Sequence, residues 1–265
     1  HMNSHLIDVY ADTGSVLHTA DPRAKVSAVL LLIVIVGLTP MGAFGAYVGF
    51  FALAMAGALV GRLDPLLIVR RSLIALPFAL AAILLIFTVP GPPVLTLPLT
   101  GWAITAPGLV RFASILFKSM ISVQFAALLL ATTHFTAMLW ALGALRVPRV
   151  LVAIISFMYR YIFVLAEEAG RLARARDSRS AVLPGVRPRS RSLVFRARTT
   201  GRLIGALFLR SFARSERVYM AMVSRGYRGE VRLLNPQPLT ARDALIAGLP
   251  VALGGLLLAA SLLLG

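Results

Sequence analysis

The side chains able to do chemistry in this sequence are mostly arginines. Between Arg160 and Arg232 lie 17 Arg against 5 acids, +12 of the formal +17 of the whole chain, while Lys occurs only at Lys25 and Lys118. Arg keeps its proton when partly buried and presents a planar fork of donors to carboxylates and phosphates. Such a run reads as a solvated face drawn to anionic lipid, or as a docking surface for an acidic protein. Nucleic acid is not indicated, because the run has few aromatics and no helix-turn-helix or RNA-binding signature. Glu167-Glu168 is the one carboxylate pair, and neighbours on a helix point about 100° apart, so the two form no dyad. They read as ion-pair partners for Arg171 and Arg174. His1, His5, His18 and His134 stand at no metal-binding spacing; His134 reads as a capping or interface residue. Zero Cys excludes disulfides, Cys-based zinc or iron–sulfur sites and a cysteine nucleophile. No phosphate-binding glycine loop and no magnesium-holding Asp pairs occur, so the chain is expected to be non-catalytic, with no metal and no cofactor of its own.

The elements that must position these arginines are set by composition. The chain has 265 residues, 58% hydrophobic and 14% charged, with mean hydropathy +0.85. Soluble domains average about 25% charge. An all-α integral membrane protein with a basic soluble part follows. His1-Met2 reads as an appended remnant, and no signal peptide is expected after it. A helical span needs about 20 apolar residues. Five are expected: 25–39, 41–60, 72–90, 108–133 and 243–264, with the first two joined by a tight hairpin at Pro40-Met41-Gly42 and the third ended by Pro90-Gly91-Pro92-Pro93. A sixth span at 150–166 is rejected, because Arg160 interrupts it and it breaks the charge pattern. That pattern places Arg23, Lys25, Arg62, Arg70, Arg71 and the Arg146–Arg242 stretch on one side, which the positive-inside rule makes cytoplasmic. The N-terminus is then inside and Gly265 outside. Trp102 suits an interface belt. Arg111 and Lys118 share a face of the fourth span; Arg111 reaches the surface, and Lys118 faces the bundle interior or a partner.

Four segments result: an N-terminal segment 1–25, a four-span bundle 26–133, a cytoplasmic arm 134–242 and a last span 243–265. In the arm, 149–180 reads as one long amphipathic helix with Ile154, Met158, Tyr161, Ile162, Leu165 and Leu172 on its apolar stripe. A turn at 183–188 separates it from a second, 191–225. There Phe208, Phe212, Tyr219 and Met222 line one face, Arg210, Arg214, Arg217 and Arg225 another, and Gly226 fits a left-handed cap. The apolar faces must be covered by bundle, membrane surface or other subunits.

Two short motifs end these helices: Ala175-Arg176-Asp177 and Ser224-Arg225-Gly226. With the stretch Leu17-His18-Thr19-Ala20-Asp21-Pro22-Arg23-Ala24-Lys25 and the order spans, arm, span, the chain resembles the transmembrane T component of energy-coupling factor (ECF) transporters, in its cobalt-type form. The resemblance implies a non-catalytic subunit of a cobalt or nickel uptake transporter in the bacterial plasma membrane. Two ABC-type ATPases would dock beneath the arm, Arg176 in one and Arg225 in the other. A separate substrate-specificity membrane subunit would pack on the coupling-helix faces, Met158, Tyr161, Leu165, Phe208, Phe212 and Tyr219 among them. Asp177 stands where the family usually has Gly, and could pair with Arg174 or Arg179. The competing reading is a permease that encloses the substrate path itself, with Lys118, Ser122 and Gln124 as its inner polar residues.

Overall fold

The computed structural model describes residues 14–75, 77, 82–84, 89–90, 92–96, 103–179, 193–229 and 240–264. The chain divides into two units: His1–Leu145 with Asn235–Gly265, and Arg146–Leu234.

The first unit is a helical bundle. After a single turn, α1 (Val16–Thr19), comes α2 (Pro22–Leu38), whose N-cap Asp21 accepts from the Arg23 N–H at 2.7 Å, with Pro22 supplying a preset φ. Pro40 prevents its continuation, and Gly42, at φ +88°, turns the chain into α3 (Phe44–Val60) as expected for the 40–42 hairpin. Asp64 caps α4 (Pro65–Ser72), a short helix that buries Ile68 and Ser72 where the sequence suggests a plain loop. About half of the expected third span, 72–90, falls outside the described residues, and the described part includes 3-10 turns at Leu73–Ala75 and Ala82–Leu84. Within the all-α fold, the Pro-rich connection carries a short extended element. A two-stranded antiparallel ribbon, β1 (Pro93–Thr96) with β2 (Ala103–Thr105), forms there, and Trp102 lies outside the described residues. Then α5 (Ala106–Thr132), α6 (Phe135–Ala144) and α9 (Ala241–Leu264) complete the unit.

Its packing is that of a membrane bundle. Small residues and a few large ones, Ala54, Ala58, Phe50, Val36 and Ile121, fill the middle, while Leu30, Val34, Val48, Leu59 and Leu256 point outward. In lipid, an outward Leu is at home and close backbone approach supplies the attraction between helices. Two glycines permit that approach. A Cβ at Gly254 of α9 would meet Leu32 at 2.8 Å, and one at Gly49 of α3 would meet Leu257 at 2.8 Å.

The second unit consists of α7 (Arg149–Arg179) and α8 (Leu193–Ser224), two helices of 31 and 32 residues. The connecting turn at 183–188 lies outside the described residues. Both are amphipathic as expected, and among their described side chains Ala153 is the one fully buried apolar residue. The expected arm, 134–242, is wider than this unit. Residues 135–144 form α6, which packs on α2 with the Arg23 guanidinium 3.9 Å from the Trp140 ring, and Thr240 belongs to the start of α9.

Among the described residues, three helices are long and apolar enough to cross a membrane: α5, α7 and residues Ala241–Leu263 of α9. The inclusion of α7 runs against the rejected span at 150–166: a charge such as Arg160 does not pull the mean of so apolar a stretch below the requirement. At about 1.5 Å per residue, the 17 residues of α2 and of α3 each reach about 25 Å, short of a 30 Å hydrocarbon core.

Candidate docking site

Exposed arginines stand at the C-terminal end of each long helix of the second unit. At the end of α7, Arg176 is already engaged: its Nη2 and Nε lie 3.0 and 3.1 Å from Oδ1 of Asp177. The sequence suggests Arg174 or Arg179 for that carboxylate; the adjacent Arg176 has the shorter path. Ala175, Arg176, Asp177 and Arg179 are all exposed. Ser178 returns its hydroxyl to the Ala175 carbonyl at 3.0 Å, and Arg179 is the last helical residue.

The end of α8 is held by a complete Schellman arrangement. Gly226 sits at φ +81°, its N–H donates to the Val223 carbonyl at 2.9 Å, and the Tyr227 N–H donates to Met222 at 3.0 Å. No atom lies within 4 Å of a Cβ built on Gly226, so backbone conformation alone demands glycine there. Ser224 donates to Met220 at 2.9 Å, and Arg225 is exposed beyond it. The two ends thus share a Ser-Arg step, Ser178-Arg179 and Ser224-Arg225. The first expected motif is centred on Arg176, and Arg179, three residues on, closes the same helix end.

Between the helices, Glu168 accepts from Arg171 on its own helix and from Arg210 Nη1 of α8 at 2.8 Å. Arg171 first, then Arg210, hold its carboxyl below the usual value, and Glu167 stands 3.9 Å from Arg171. On one side of this contact lies an open cleft of about 550 Å³ lined by Arg171, Arg176, Arg179, Arg210, Leu172 and Leu203. On the other is a largely apolar cavity of about 490 Å³, walled by Met158, Tyr161, Leu165, Tyr219 and Met222, with Phe157 edge-on to Tyr227 at 6.2 Å. Of the expected coupling faces, Met158, Phe208, Phe212 and Tyr219 are exposed, Tyr161 and Leu165 half-buried, and Phe208 stacks on Phe212 at 6.5 Å.

In the first unit, Lys118 does face inward. Its ammonium donates to the Gly37 carbonyl at 3.1 Å and the Thr39 carbonyl at 2.5 Å, so it caps the C-terminal end of α2. Arg111 is exposed, and His134 occupies the N-cap position of α6. A cluster that sequence reading missed ties the first and last helices. Asp243 accepts from the Asp21 N–H at 2.9 Å and the Thr240 N–H at 3.0 Å, while Lys25 donates to the Leu17 and Thr132 carbonyls, both at 3.0 Å. Thr240-x-x-Asp243 is a capping box, visible in the sequence. Gln124 is fully buried, with neither amide atom hydrogen-bonded. Among the described residues no three His, Cys, Asp or Glu side chains come together as a metal site.

A bundle with outward-pointing leucines and two long basic amphipathic helices is the architecture of a membrane protein. The sequence pattern of the CbiQ family, described as cobalt transport protein, matches residues 13–234, and the chain belongs to that family. Cobalt transport protein CbiQ of Rhodobacter capsulatus is 31% identical over 188 residues, covering 70% of this chain and 73% of its own. Energy-coupling factor transporter transmembrane protein EcfT of Brevibacillus brevis is 29% identical over 261 residues, 93% and 94% of the two chains. An uncharacterized protein of Methanocaldococcus jannaschii is 31% identical over 141 residues, and this chain spans only about half, 46%, of its length.

Proposed function

We propose that this chain is the coupling subunit of an ATP-driven ECF-type uptake transporter for cobalt or nickel. Two ABC-type ATPases dock on the ends of α7 and α8, and a separate substrate-specificity membrane subunit covers the apolar faces of the same helices. Five spans hold it in a bacterial plasma membrane, with the N-terminus and the second unit in the cytoplasm. The observation that carries this reading is the pair of exposed Ser-Arg helix ends on two long helices whose apolar faces lack cover. Each end gives a guanidinium a fixed direction, which suits insertion into a carboxylate-bearing groove. Ion identity rests on the names of the relatives. At the α7 end, Arg179 is the better anchor, because Arg176 is already paired with Asp177.

Coupling then works by population shift. ATP draws the ATPases together, the docked helix ends follow, and α7 and α8 change their crossing angle beneath the specificity subunit. The permease alternative is disfavoured. Lys118 is engaged by two carbonyls, and the hollow of about 420 Å³ among α2, α3, α5 and α9 is apolar apart from its Lys25, Thr132 and Asp243 end. The test is affinity capture of the chain from mild-detergent extracts of its host membranes. ATPases and a second membrane protein should co-purify in fixed proportion; a chain that arrives alone yet catalyses ion flux in liposomes would overturn the proposal.

A further inference from the structure

The contact of Glu168 with Arg210 divides the space between α7 and α8. The basic cleft opens on the side of the α7 end, and the aromatic-walled cavity on the side of the α8 end. Both borders are close in sequence. Leu165 lines the cavity and Glu168 the cleft on α7, while Ser211 lines the cavity and Arg210 the cleft on α8. Two long helices linked at Glu168 and Arg210, with a hollow on either side of that link, have space there for a change of angle.

We propose that Glu168, held by Arg171 and Arg210 with hollows on either side, is the pivot about which α7 and α8 change their crossing angle. The chemistry suits the role. The Glu168 side chain is only 15% exposed while Arg171 and Arg210 are more than half exposed, so one sheltered carboxylate gathers two guanidinium donors. A carboxylate has about four lone-pair sites and accepts from two guanidinium groups over a range of angles. Apolar packing alone resists rotation, since interdigitated side chains have few alternative fits. A shared carboxylate instead keeps its partners through a change of angle. Arg171 orients Glu168 from one turn away, and Arg210 carries the link across. Glu168 is therefore a positioning residue.

This inference rests on the coupling function proposed above, and the test separates the two. The assembled transporter, with its ATPases bound, carries spin labels on Met158→Cys of α7 and Val218→Cys of α8, and the label–label distance is read with and without ATP. Wild type is expected to shift between two distances on ATP binding. Glu168→Gln keeps the ATPases and their ATP hydrolysis, loses the discrete shift, and lowers ion uptake about two- to fivefold, the size expected when an exposed ion pair is lost. Arg210→Gln should give the same defect, and the double variant no more than either alone. Glu167→Gln, next to the pivot but 3.9 Å from its Arg, should behave as wild type. Reversing the pair, Glu168→Arg with Arg210→Glu, should restore part of the shift that each single reversal abolishes. An unchanged shift and uptake in Glu168→Gln, with ATPases bound, would overturn the pivot and leave the coupling function standing. Failure of wild type to hold ATPases at all would overturn both.

Discussion

A guanidinium at a helix end differs from one on a helix side chiefly in what else competes for it. Arg176, in the last turn of α7, has Asp177 beside it, whereas Arg179 ends that helix and Arg225 follows the last residue of α8. Arg179→Ala is therefore expected to weaken ATPase binding by about 2–5 kcal/mol, as for one partner of a desolvated interfacial charge pair. Arg176→Ala, breaking an exposed pair, should cost under about 1 kcal/mol. Titration of immobilised transporter with purified ATPase measures both, and the reverse order of effects would return the first motif to Arg176. Lys118 makes a second residue-scale case. Lys118→Met leaves the Gly37 and Thr39 carbonyls without their donor, at a cost of about 1–3 kcal/mol. The variant should melt earlier in detergent with its cobalt-to-nickel preference unchanged. A changed preference with unchanged melting would put Lys118 on the ion path. The inward placement of Lys118 was legible, since a cation in an apolar span has nowhere cheap to go. Its carbonyl partners were not, because they lie about 80 residues away and depend on how α2 and α5 pack.

At the scale of elements, close helix contacts depend on which glycines face a neighbour. Gly254 and Gly255 are adjacent on α9, yet a Cβ at Gly254 meets Leu32 and one at Gly255 meets nothing within 4 Å. Gly254→Leu should lower bundle stability by about 1–3 kcal/mol through overpacking, and Gly255→Leu should be close to neutral; thermal unfolding in detergent compares them. Equal losses would mean that α9 does not pack on α2 as described. The two long helices were legible from apolar period and cap: the 3.6-residue stripe and Gly226 located α7 and α8 to within two residues at each end. Elements set by non-local pairing were less legible. The β1–β2 ribbon joins short strands flanked by Pro, with no alternating pattern long enough to announce it. The capping box at Thr240-x-x-Asp243 was present in the sequence, but its role in tying α9 to Asp21 depends on two segments more than 200 residues apart.

At the scale of the whole molecule, the charge asymmetry predicts sidedness. Single cysteines at Leu263 and at Arg187 should label from opposite sides of intact cells, Leu263→Cys from outside. Labelling of both from outside would remove the five-span arrangement and favour α7 as a further span, for which it is long and apolar enough. The central claim is that two ATPases are held by two helix ends. Quantitative mass measurement of the purified complex counts them directly: two per wild-type chain, one for Arg179→Ala, one for Arg225→Ala and none for the double variant. Two ATPases retained on the double variant would contradict the account.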